Sequence, residues 1–175
     1  MAPLTDAAVQ EEVAVLTVQL TAARVQRGDL PQHRLASLLG VSTNSVIDWE
    51  SGRESLTVRH LIVWARALML RLVIVDTLGA RVHLPLVRDR GEDWDTYELR
   101  RLITTLRDIR KAGDRLTQIE VARRAGVGQT SLRHWETLTT APRTFSLIRW
   151  AMALDCGIRL APLRPPYRTG LAMEG

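Results

Sequence analysis

The sequence predicts a mainly α-helical fold built from two copies of one small domain, with a β-hairpin after the first copy. Residues 20–68 align without a gap on residues 106–154, at a constant offset of 86, and 16 of the 49 aligned positions are identical. Apolar residues recur at helical spacing in both segments. Because this repeat is far longer than the period of solenoid proteins, it indicates two tandem domains.

Composition is that of an ordinary globular protein, with 46% apolar and 25% charged residues. The lone Cys156 excludes an internal disulfide, and no two His or Cys residues have the spacing of metal ligands, so we expect no cofactor. No signal peptide and no apolar stretch long enough to span a bilayer are visible. We therefore expect a cytoplasmic protein without membrane contact.

Positive charge is concentrated in the second half of the chain. Residues 1–80 contain 7 Arg and 8 Asp or Glu, whereas residues 81–175 contain 17 Lys or Arg and 11 Asp or Glu. If both copies meet nucleic acid, the second should supply most of the attraction for phosphate. A simpler interpretation is a solvated basic surface in a protein from a GC-rich genome, since Lys111 is the only lysine.

The first copy is predicted to contain four helices and then the hairpin. Apolar residues at helical spacing run up to Gly28, Gly40 and Gly52, which are typical residues at helix ends. Ser42 and Thr57 precede two of the helices as N-caps. The expected helices span residues 6–27, 31–39, 43–51 and 58–69, and the hairpin strands span 72–75 and 81–84.

The second copy is predicted to repeat the four helices after a polar linker. Asp95 and Glu98 have the spacing of an N-cap signature, and Thr117 with Glu120 forms a capping box. The helices should end at Gly113, Gly126, residue 136 and Gly157, and a short strand should span 158–160. We expect a first domain at 1–87, a linker at 88–93, a second domain at 94–163 and an irregular tail at 164–175.

Two helices in each copy carry the pattern of a helix-turn-helix. Such a motif needs a small residue where the helices cross and a residue that tolerates positive φ in the turn. Ala36 and Gly40 fill these places in the first copy, and Ala122 and Gly126 in the second. The apolar face of the second helix points inward in both copies, and four tryptophans at matched positions belong to the core: Trp49, Trp64, Trp135 and Trp150.

These residues resemble the Cro/C1-type (XRE) helix-turn-helix family. The resemblance also rests on Gln32 and Gln118 at the start of the first motif helix, on the Trp-Glu pairs, and on residues 51–53. It implies a lambda-repressor-like fold in each copy. It also implies two structural ion pairs between the opening helix and the recognition helix, Arg24–Glu50 and Arg110–Glu136.

The resemblance implies DNA contacts on the polar face that remains. Gln32 and Gln118 would contact phosphate or base from a helix N-terminus. Arg53 and Arg143 are candidate phosphate contacts. The residues expected at base edges are Thr43, Asn44 and Asp48 in the first copy, and Gln129, Thr130, Arg133 and His134 in the second. These polar residues are also compatible with an ordinary surface.

The two copies differ at positions that matter for DNA. Asp48 could accept a hydrogen bond from a cytosine amino group, but it would repel nearby phosphate. We therefore expect the first copy to be the weaker reader and suited to contacts with protein. The second copy has Leu138 and Thr139 where the first has Gly52 and Arg53, so we expect a remodelled loop after its recognition helix.

The hairpin at 72–84 has three interpretations: a wing against DNA, a surface that binds a second copy or another protein, or a sheet that joins the two copies. We favour the third. Residues 72–75 and 158–160 lie at matching places after each fourth helix, so they should pair about a pseudo-two-fold axis. The chain would then imitate a repressor dimer on DNA.

The sequence therefore predicts a nucleoid-associated protein that binds double-stranded DNA, a bacterial or phage transcriptional regulator such as a repressor. Its two unlike recognition helices should read an asymmetric site. One alternative is an adaptor in which one or both domains bind protein, and another is an architectural DNA-binding protein for replication or partition. No nucleophile, base and orienting group occur together, so we do not expect an enzyme.

Overall fold

The computed structural model describes residues 4–112 and 116–163, within which it has eight helices and a three-stranded sheet. The predicted mainly α-helical fold with two helix-turn-helix units is confirmed. The predicted stop at Gly113 and the tail at 164–175 lie outside the described residues. In chain order the elements are α1 Asp6–Arg27, α2 Gln32–Leu39, α3 Thr43–Glu50, α4 Val58–Ala67, β1 Leu70–Val75, β2 Arg81–Val82, α5 Trp94–Ala112, α6 Gln118–Ala125, α7 Gln129–Glu136, α8 Thr144–Ala153 and β3 Gly157–Pro162.

Local chemistry sets the ends of the motif helices. Gly40 and Gly126 end α2 and α6 with φ of 68° and 63°, in the left-handed region that favours glycine. The predicted capping box opens α6: Thr117 and Glu120 each accept the other's backbone N–H. These hydrogen bonds from Thr117 lower the pKa of the Glu120 carboxyl.

Two predicted helix ends are wrong. Asp95 is not the N-cap of α5, because the Thr96 N–H donates to Asp93 Oδ1 at 3.0 Å and the helix begins at Trp94. The last helix does not run to Gly157. It ends at Ala153, Asp155 adopts a φ of 56° that stops it, and Gly157 begins β3 instead.

The prediction of a remodelled loop after the second recognition helix is also wrong. Leu138 has a φ of 58° where Gly52 has 72°, so both loops follow the same path. The next residue donates to the same carbonyl in each copy, Arg53 N–H to Asp48 O and Thr139 N–H to His134 O, both at 2.9 Å. The backbone hydrogen bonds thus hold Leu138 in a conformation that costs a non-glycine residue about 1–2 kcal/mol.

Antiparallel pairing of β1 with β3 joins the two copies. The sheet has the order β2-β1-β3, which confirms the hairpin and shortens its second strand to two residues. Within the β1–β3 ladder Val73 lies opposite Arg159, and outside it Thr57 forms a bridge with Arg143. Each pair joins positions 86 residues apart, so a residue meets its own counterpart. That register places a pseudo-two-fold axis through both pairs and confirms the favoured interpretation of the hairpin.

The opening helix of each copy packs against the other copy. Helix α1 packs on α8, and α5 packs on α4, so each opening helix covers the fourth helix of the other copy. Ion pairs follow the same exchange: Arg159 of β3 contacts Glu12 of α1 at 2.5 Å, and Arg71 of β1 contacts the buried Glu98 of α5. One hydrophobic cluster therefore spans both copies, with Trp64 and Trp150 fully buried inside it.

The substitution Thr144→Val tests the junction between the copies. The buried Thr144 hydroxyl donates to Leu56 O of the other copy at 2.7 Å, and valine is the residue at the counterpart position, 58. Loss of the donor leaves a buried carbonyl without its partner, so we expect a loss of about 1–3 kcal/mol in the free energy of unfolding by urea.

Thr105→Val is the matched control. The Thr105 hydroxyl is equally buried, but it donates to the helical carbonyl of Arg101, which the backbone already engages. Equal effects of the two substitutions would contradict a specific role for the Thr144–Leu56 bond.

Candidate nucleic-acid interface

In each copy an ion pair between an arginine and a glutamate holds the recognition helix in place, and the arginine also donates to a backbone carbonyl. Arg24 Nε lies 2.6 Å from Glu50 Oε1, and its Nη2 lies 2.9 Å from Oε2. In the second copy Arg110 makes the same bidentate contact with Glu136 at 2.6 and 2.7 Å. Each arginine also donates through Nη1 to a backbone carbonyl just before the motif, Leu30 O or Leu116 O. This arrangement ties the end of the recognition helix to the opening helix.

The glutamines implied as DNA contacts complete these clusters. Gln32 Nε2 donates to Glu50 Oε2 at 2.7 Å, and Gln118 Nε2 donates to Glu136 Oε2 at the same distance. Both glutamines are half-buried. In each glutamine one amide N–H is therefore engaged within the protein, and the second N–H and the amide oxygen are left for another partner. The role of Gln32 and Gln118 in DNA contact stays a prediction, and their structural role was missed from the sequence.

The recognition face of the first copy carries its own ion pair. Asn44 is exposed on α3, and Thr43 is half-buried beside it. Asp48 Oδ1 lies 3.2 Å from Arg53 Nε, which also donates to Ser51 Oγ. The charge of Arg53 is thus partly neutralised before any contact with phosphate. Asp48 and Arg53 are five residues apart in the sequence, on either side of the end of α3. This short separation was the signal that could have revealed the pair.

The recognition face of the second copy is more open. Gln129, Thr130 and Arg133 are exposed on α7, and His134 is half-buried. In the part of the chain that the structure describes, Arg133 forms no ion pair. Gly128 precedes α7 and offers no side-chain cap, whereas Ser42 caps α3. The first amides of α7 and the Arg133 guanidinium are therefore available to an anion or a base edge.

Arg143 lies at the junction between the copies rather than beside α7. It is the residue before α8, it is exposed, and its backbone pairs with Thr57. This position is on the pseudo-two-fold axis, between the two motifs. A phosphate contact there would be central to a site read by both copies.

Other chemistries find little support in the described residues. Within 4–112 and 116–163 no group of three His, Cys, Asp or Glu side chains has the arrangement of a metal site. None of the helices there is both long and apolar enough to cross a bilayer. Burial raises the pKa of the Cys156 thiol and, together with Arg59, lowers the pKa of His60. Neither group belongs to the recognition faces.

Comparison with known proteins identifies the same two motifs in the sequence. A family model described as helix-turn-helix matches residues 20–72 and again residues 106–160. Two curated relatives, both named Antitoxin HigA1, come from Mycobacterium tuberculosis strains CDC 1551 / Oshkosh and ATCC 25618 / H37Rv. Each is 39% identical over 79 residues, which are 45% of this chain and 52% of the relative, so the match spans about half of either protein. No solved structure matches the chain.

Glu136→Gln tests the cluster that holds the second recognition helix. The substitution keeps the shape of the side chain but leaves Arg110, whose side chain is 11% exposed, without its counter-charge. Breaking a buried ion pair from one side costs about 3–5 kcal/mol, which should appear as a lower midpoint of urea unfolding. Asp29→Asn, at the exposed Arg27–Asp29 pair, is the control and should cost at most about 1 kcal/mol. Similar small losses for both would contradict the structural role of Glu136.

Proposed function

The chain belongs to the helix-turn-helix family, and from that premise we propose that it is a non-enzymatic, sequence-specific DNA-binding protein that regulates transcription. The observation that carries the proposal is the pairing of counterpart residues at Val73–Arg159 and Thr57–Arg143. This pairing relates the two motifs by a pseudo-two-fold axis within one chain. Symmetric repressor dimers use such an axis to present two recognition helices to one face of DNA.

The target of this protein is an asymmetric site. A symmetric dimer reads a palindrome because its two recognition helices are identical. Here α3 offers Thr43, Asn44 and the paired Asp48, whereas α7 offers Gln129 and Arg133. Different side chains read different base edges, so the two half-sites differ in sequence.

The second copy is the stronger reader. Arg133 can donate two hydrogen bonds to guanine and Gln129 can pair with adenine, and each good pair supplies about 1–3 kcal/mol of discrimination. The excess of basic residues after position 80 adds attraction for phosphate. In the first copy the Asp48–Arg53 ion pair weakens that attraction. Occupancy of the site by both copies then blocks or recruits polymerase in the cytoplasm, where the protein is bound to the nucleoid.

Selection from random duplex DNA is the direct test of this function. We expect an enriched sequence with two unlike halves, and an affinity that falls steeply as salt rises because several phosphates are neutralised. The absence of binding even at low salt would overturn the proposal in favour of a protein adaptor. An enriched palindrome would overturn the asymmetric reading.

Arg133→Ala and Arg143→Ala should have different effects on the selected site. Loss of a base contact by Arg133 should cost about 1–3 kcal/mol and relax preference at one base pair. Loss of a phosphate contact by Arg143 should weaken binding evenly across sequences and reduce the salt slope by about one. Fluorescence anisotropy on a panel of single-base variants measures both. Arg90→Ala, in the segment between the copies, is the control, and equal profiles for all three variants would contradict the assignment.

Asp48→Asn should increase the affinity for DNA. The change removes a negative charge near phosphate and releases Arg53 from its ion pair. We therefore expect tighter binding to all sequences and a salt dependence steeper by about one phosphate contact. A loss of affinity confined to one base-pair position would contradict this, since it would mean that Asp48 accepts from a cytosine amino group.

A further inference from the structure

A hollow of about 390 Å³ lies between helix α1 and the loop that follows the recognition helix of the first copy. Its volume is in the range of sites that bind small molecules. One wall is apolar and includes Val13, Trp49 and Leu56, each at most 6% exposed. The rim is polar and includes the charged side chains of Arg53 and Glu54. An apolar wall with a few polar groups at the rim is typical of a ligand pocket.

The second copy carries larger side chains at the matching place. Three positions that line the hollow differ in this way between the copies. The residues of the first copy and their counterparts are Ala14 and Arg100, Thr17 and Ile103, and Gly52 and Leu138. Ile103 is fully buried in the core of the second copy. The duplicated fold therefore does not require a hollow here, and the small residues of the first copy keep it open.

The charges that line the hollow leave one carboxylate without a partner. Glu50 is paired with Arg24. Arg53 is paired with Asp48. Glu54 is exposed at the rim, and in the described part of the chain no side chain forms an ion pair with it. Helix α3 also ends at the hollow, so the negative end of its dipole adds to this charge. The site therefore favours a cation.

We propose that this hollow binds a small organic cation with an apolar body. The ammonium or guanidinium group of the ligand pairs with Glu54, and its apolar body lies against Val13 and Trp49. Because the wall also includes Glu50, the last residue of α3, the ligand contacts the end of the first recognition helix. The inference goes beyond the proposed DNA-binding function and does not depend on it.

The two parts of the ligand contribute unequally. An ion pair with the exposed Glu54 is screened by water and contributes little, so a bare cation binds weakly here. The apolar wall releases water when it is covered, so the apolar body supplies most of the affinity. The charge then decides which of several molecules with the same body binds best.

Titration with three matched probes tests the site and its preference for a cation, by the proton–nitrogen NMR spectrum of the protein without DNA. Phenethylamine, phenylethanol and phenylacetate share one ring and carry a positive, a neutral and a negative group. We expect phenethylamine to shift the amides of residues 51–56 with a dissociation constant of about 1 mM, as is usual for a probe of this size. Phenylethanol should bind about two- to fivefold more weakly, and phenylacetate more weakly still.

Glu54→Gln tests the ion pair. It should weaken the binding of phenethylamine by about two- to fivefold and leave that of phenylethanol unchanged, because only the charge is removed. Glu11→Gln is the matched control. It removes the same charge from an exposed glutamate of α1 that does not line the hollow, and it should have little effect on either probe.

Ala14→Arg tests the place of binding. It introduces the residue of the second copy, whose long side chain occupies the hollow and brings its own cation to Glu54, so all three probes should lose their shifts. Gln19→Arg is the control, because it adds the same side chain at an exposed position of α1 outside the hollow. The spectrum of each variant without probe shows whether it is folded, and Glu54→Gln, at an exposed position, tests the site independently.

The absence of shifts in residues 51–56 with phenethylamine at about 10 mM, well above the expected dissociation constant, would overturn the site. Equal effects of Ala14→Arg and Gln19→Arg would overturn it as well, because the probe would then bind elsewhere. Equal binding of phenethylamine and phenylacetate would overturn the assignment of a cation, as would equal effects of Glu54→Gln and Glu11→Gln. Because no DNA is present, none of these outcomes depends on whether the protein binds an operator.

Discussion

The antiparallel ladder between β1 and β3 is the constraint on which the rest of the structure depends. Its register places Val73 opposite Arg159, and therefore relates the two copies by a pseudo-two-fold axis. Once that axis exists, α1 must lie on α8 and α5 on α4, and the two small cores become one. Domains of this size bury little apolar surface alone. A shared core therefore stabilises each copy more than two separate cores joined by a flexible linker would.

Much of this arrangement could be predicted from the sequence, because the duplication presents each structural position twice. The matched tryptophans, Gly40 with Gly126, and the counterpart strands after each fourth helix indicated the fold and the sheet that joins the copies. Helix ends were harder, because several residues compete for one cap. At the start of α5 Asp93 took the role expected of Asp95, and Glu98 was left for the buried ion pair with Arg71.

The recognition surface was less predictable, since a polar residue on a helix does not reveal its partner in space. Gln32 and Gln118 have the spacing of DNA contacts, yet both donate to the glutamate that ends the recognition helix. Asp48 and Arg53 neutralise each other across a helix end. The loop at Leu138 keeps the path of the loop at Gly52 despite an unfavourable residue, because its backbone hydrogen bonds are the same. Tertiary contacts decide these cases.

In the proposed function, one chain places two unlike recognition helices on one asymmetric site. Hydroxyl-radical footprinting of the selected DNA, for the natural chain and for Arg133→Ala, tests it most directly. We expect two protected patches on one face of the duplex, about 10 base pairs apart, with only the patch under the second copy weakened by the substitution. A single patch that disappears entirely in the Arg133→Ala footprint would contradict the claim, because only one motif would then be bound to DNA.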